Sequence, residues 1–127
     1  MSLAATEDAL AYGARIRDVI LHHSGGWADK HALEKFRLLS GAAARAVDDA
    51  QCTELMRAAG EYAADLFSDS GHHKWTRSRT SGADVLRLRI LAKLDAFRER
   101  LEHLRQEALA LRRISPVDRN GSPGDEI

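Results

Sequence analysis

From Gly82 to Ile114 the chain carries an unbroken helical seam: Ile90, Leu94, Phe97, Leu101, Leu104, Ala108 and Leu111 recur in alternating steps of four and three. That spacing lays one apolar stripe along one side of an α-helix. No proline or further glycine interrupts it. At about 1.5 Å per residue the helix is roughly 50 Å long, and the other helical segments look about half as long. A long helix beside short ones must leave part of its seam uncovered or share it with another chain. This mismatch constrains the fold more than anything else in the sequence.

The remainder is consistent with one helical domain. The chain has 127 residues, 44% apolar and only 6% aromatic, and both prolines fall in the last dozen positions, so everything before them is free to be helical. The expected fold is all-α, an up-down-up-down four-helix bundle over residues 1–114. Residues 115–127, without apolar periodicity, are expected to form a disordered tail. The N-terminal residues show neither a signal peptide nor a membrane span. Cys52 is a lone cysteine and excludes an internal disulfide, so the expected location is cytoplasmic, away from membranes.

Taken in order, Thr6 reads as the cap of a first helix, with Glu7 and Asp8 in its first turn. Ala9, Tyr12, Ile16, Val19 and His23 form its buried line. After a turn at Ser24–Ala28, Asp29 caps a second helix that buries Leu33, Phe36, Leu39, Ala43, Ala46 and Val47. The phase then resets: continuation would demand apolar residues where Glu54 and Arg57 stand, whereas Cys52, Leu55, Met56, Ala59, Tyr62, Ala63 and Leu66 make a new stripe. A break at Asp48-Asp49 follows. Gly13, Gly41 and Gly60 read as places where helix axes approach closely. Ser68 to Ser81 is irregular, and Ser81 with Asp84 suggests a capping box for the long helix.

In an up-down bundle the first and third connections share one end. Each carries a His pair and a tryptophan: His22-His23 with Trp27, and His72-His73 with Trp75. His31 is expected at the same end. Zinc, iron or nickel binding is conceivable for such a cluster, but the paired Glu-x-x-His arrangement of bundle di-metal sites is missing. The expectation is therefore no metal and no cofactor.

Charge is zero overall but unevenly spread. Residues 1–71 carry seven basic and eleven acidic side chains, whereas residues 72–100 carry eight basic and three acidic. Lys74, Trp75, Arg77 and Arg79, continued by Arg87, Arg89 and Lys93, interleave cations with an aromatic ahead of a helix start, a pattern suited to phosphate and bases. No esterase, phosphate-loop or redox motif is present, so the reading is non-enzymatic.

The expected function is thus an interaction module, an adaptor or regulatory subunit that self-associates or docks a protein partner. Its expected interface is the overhanging end of the long helix, at Leu104, Ala108, Leu111 and Ile114. The alternative is a nucleic-acid-associated subunit using the basic stretch at 72–93.

Overall fold

The computed structural model describes residues 2–22, 29–67 and 79–114, apart from the side chains of 79–83 and 112–114. Among the described residues there are four helices and no strand, so the chain is all-α as expected. Helix α1 spans Leu3–His22, α2 Lys30–Val47, α3 Ala50–Phe67 and α4 Arg79–Ile114. Expectations on His23, Trp27, His72, His73, Lys74, Trp75, Arg77 and the tail from Ser115 onward fall outside the described residues.

Helix ends follow the capping chemistry, with a different residue from that expected at the start of α1 and an earlier start than expected for α4. Ser2, not Thr6, caps α1: its Oγ accepts the Ala5 N–H at 3.0 Å and its carbonyl accepts the Thr6 N–H at 3.2 Å. Thr6 instead lies inside the helix and is fully buried, its hydroxyl donating to the Leu3 carbonyl at 2.8 Å. That internal bond lets a polar side chain sit in the core. Asp29 caps α2 as expected, its carboxylate accepting the Ala32 N–H at 2.9 Å. The expected break also stands: Asp48 adopts the left-handed conformation at φ 47°, and the Asp49 carboxylate accepts the Cys52 N–H at 3.0 Å to start α3. Helix α4 begins at Arg79, ahead of Ser81, and the Asp84 carboxylate pairs with Arg87.

Each helix packs closely on two others, in the ring α1–α2–α3–α4–α1, around one shared core. Named contacts give the directions. The Asp29 N–H donates to the Phe67 carbonyl at 2.8 Å, so the start of α2 lies beside the end of α3. Asp49 meets Arg100 and Tyr62 meets Arg89, so α3 and α4 run oppositely. Arg17 meets Asp95, and Gly13 lies against Phe97, so α1 and α4 do too. The interior holds Ile16, Ile20, Phe36, Phe67, Ile90, Phe97 and Leu101, all essentially without exposure. Close approach at glycine holds for Gly13 alone: Gly41 has only the Arg45 side chain of its own helix nearby, and nothing lies within 4 Å of a Cβ at Gly60.

The seam of α4 is covered one turn further than its length suggests. Leu104 is 8% exposed and Ala108 9%, whereas Leu111 is 66% exposed. The early start of α1 accounts for this. With Arg17 meeting Asp95 and Gly13 meeting Phe97 in an antiparallel pair, Leu3 is level with residues 107–109, so the additional turn ahead of Thr6 reaches Ala108. The uncovered part of the seam therefore begins after Ala108.

Candidate interaction surface

Beside the core, α1 and α4 each present a second stripe at heptad spacing. On α1 it consists of Leu3, Glu7, Leu10, Ala14, Arg17 and Leu21, and on α4 of Leu91, Asp95, Arg98, Glu102, Arg105 and Leu109. Every one of these residues is half-buried or exposed, as expected of positions flanking a buried seam. The two stripes lie side by side because α1 and α4 run antiparallel, and the Arg17–Asp95 ion pair joins them. Small residues open the surface between them. Gly13 and Ala14 leave a shallow groove of ≈ 390 Å³ over Leu10, Leu94 and Phe97, with Arg98 and Glu102 on its α4 side. Leu21 and Leu88, at 54% and 65% exposure, continue the apolar surface toward one end of the bundle.

The expected site residues divide clearly. Leu104 and Ala108 belong to the buried part of the seam, and Leu111 is exposed beyond it. Ile114 ends α4, its side chain undescribed. Of the basic set, Arg79 is the first residue of α4. Arg87 pairs with Asp84 at 2.5 Å, and the Arg89 guanidinium sits 5.7 Å from the centre of the Tyr62 ring. Lys93 is half-buried beside the α3 face that carries Glu54, whose carboxyl it helps hold below its usual range, after the larger effect of Arg57. The described cations of the basic stretch are thus largely engaged within the chain.

The histidines show no shared site among the described residues. His22 Nδ1 donates to the Asp18 carbonyl at 2.7 Å, His31 is exposed, and His103 pairs with Glu107 at 3.1 Å. No group of three His, Cys, Asp or Glu side chains is placed to hold a metal ion among those residues. Nor is any helix there long and apolar enough to cross a membrane.

Cys52 is likewise unsuited to nucleophilic chemistry. It is fully buried, and its thiol is pushed up to about 12 by burial and by the neighbouring Asp49 carboxylate. The thiolate is the reactive species, so the native protein is expected to resist a thiol-specific alkylating reagent at pH 8, with labelling appearing only on denaturation. Mass spectrometry of the adduct checks this; stoichiometric labelling of folded protein contradicts it.

The second stripes are not evident in the sequence because their charged members hide the period that their leucines begin. A search for heptad positions irrespective of polarity finds both. No protein-family model, no curated protein and no solved structure matches the chain.

Proposed function

We propose that the chain is a non-enzymatic helical interaction module, an adaptor or regulatory subunit that associates with itself or with a protein partner through α4. The observation that carries this reading is that α4 outlasts its cover. Its buried seam runs through Ala108, and the next seam residue, Leu111, is 66% exposed. Covering such a leucine is worth about 1.5–3 kcal/mol, which favours assembly over exposure to water. The half-buried to exposed stripe from Leu91 to Leu109 adds a second surface on the same helix. The nucleic-acid reading of residues 72–93 draws less support, because Arg87 and Arg89 are engaged with Asp84 and Tyr62.

Ending the chain after Ala108 removes Leu109, Leu111 and Ile114 and leaves in place every buried residue of α4 among the described side chains. The truncated chain is expected to stay helical by circular dichroism and to lose association, read by light scattering for self-assembly and by pull-down for a partner. Equal association of the two forms overturns the reading.

A further inference from the structure

We infer that the α1–α4 face is the interface of an antiparallel dimer, with the partner a second copy of this chain related by a two-fold axis level with Tyr12 of α1 and Arg100 of α4. The inference rests on the helical-interaction reading above and names its partner. It stands on the pattern of the two exposed stripes and on the register between them. The Arg17–Asp95 ion pair places Tyr12 level with Arg100, and the Gly13–Phe97 contact places it level with Arg98, so the two centres agree to within about half a helical turn.

Around this level each stripe is complementary to its own reverse. On α4, Leu91 and Leu109 lie nine positions either side of Arg100, Asp95 and Arg105 five, and Arg98 and Glu102 two. On α1 the same offsets from Tyr12 hold Leu3 and Leu21, Glu7 and Arg17, and Leu10 and Ala14. A two-fold axis brings each position against the one of opposite offset in the other copy. Within these six positions of each helix, every acid then faces a base and every apolar side chain faces an apolar one. The two helices have unrelated sequences, yet the two centres lie within about half a helical turn of one level, as a single axis through both requires.

Other arrangements of two copies do worse. Parallel pairing of like helices puts each charge beside its own counterpart, which is repulsive, and a two-fold axis parallel to the helices, which lays α4 on α1 of the other copy, leaves Arg98 against Ala14 and Glu102 against Leu10. Sliding the antiparallel pair by one heptad sets Leu91 against Glu102 in one direction and Leu109 against Arg98 in the other. Arg98 itself is exposed and has no ion pair among the described residues, so it is available to the other copy. The groove over Gly13 and Ala14 provides room between the layers. The matched face is about 28 Å long and about 20 Å wide, roughly 560 Å² per copy, the low end of specific interfaces and consistent with a micromolar dimer.

The test uses the full chain and two single variants, R98E and E102R, followed by sedimentation from about 1 µM to about 1 mM, the range a small interface calls for. Wild type is expected to dimerise. Each variant sets like charges at two symmetric contacts and is expected to weaken its own dimer about 100-fold. Mixed in equal amounts the two variants form a heterodimer. The glutamate introduced in one chain then meets the arginine introduced in the other, while the unchanged Glu102 of the first meets the unchanged Arg98 of the second. Circular dichroism of each variant confirms that it is folded. Variants that dimerise like wild type, or fail to pair when mixed, overturn the inference. A monomeric wild type also overturns it, yet leaves the interaction reading standing if ending the chain after Ala108 still abolishes binding to another protein. If that truncation changes no association at all, the interaction reading fails as well.

Discussion

Phe97→Ala is expected to lower the unfolding free energy by about 3–5 kcal/mol, the usual cost of removing a fully buried aromatic side chain. Phe97 is 1% exposed and lies where α1 crosses α4, its ring 3.6 Å from where a Cβ on Gly13 would be. Losing the ring opens a cavity into the groove and removes the contact that seats α1. Urea denaturation followed by circular dichroism measures the change. Gly13→Ala tests the same contact from the other side. Its added methyl meets the ring at 3.6 Å, an ordinary packing distance, while alanine is favoured over glycine in a helix by about 1 kcal/mol. Gly13→Ala is therefore expected to be neutral or stabilising. A cost below about 1 kcal/mol for Phe97→Ala would mean that α1 is not anchored there.

The fold is legible to the extent that apolar spacing and capping residues determine it locally. Asp29 and Asp49 carry the side chains that satisfy first-turn N–H groups, so the starts of α2 and α3 can be read directly. Thr6 misleads because a threonine followed by two acids satisfies the same local rule as a cap; only tertiary burial distinguishes it from Ser2. That local error displaces the expected overhang, since one more turn of α1 covers one more turn of α4. The second surface is illegible for a different reason. A stripe of alternating charge has no apolar signal along one helix, and its meaning emerges only when Arg17 meets Asp95 and two stripes acquire a common register. The basic stretch, conversely, looks free in sequence because Arg89 and Tyr62 are distant along the chain and adjacent only in the bundle.

Asp49→Ala is expected to destabilise the bundle by about 2–3 kcal/mol, because one carboxylate serves as the α3 cap and as the partner of a guanidinium. It accepts the Cys52 N–H at 3.0 Å and receives Arg100 Nε and Nη2 at 3.1 and 2.9 Å, tying α3 to α4. The Arg100 hydrogen bond is the main reason its pKa lies at about 2, below the ordinary 3.8. A depressed carboxylate stabilises the fold above its unfolded pKa and loses that contribution as pH falls through the folded value. After screening at the partly open Arg100, the linked part amounts to about 1–2 kcal/mol. Asp49→Asn isolates it, since asparagine still caps a helix but has no charge to titrate. The stability gap between wild type and Asp49→Asn is expected to be constant above about pH 5, to narrow below about pH 4 and to be nearly gone at about pH 2, as urea titrations across that range can read. Parallel curves down to that pH would show that the carboxylate's charge contributes nothing beyond its cap, leaving α3 and α4 joined by packing alone.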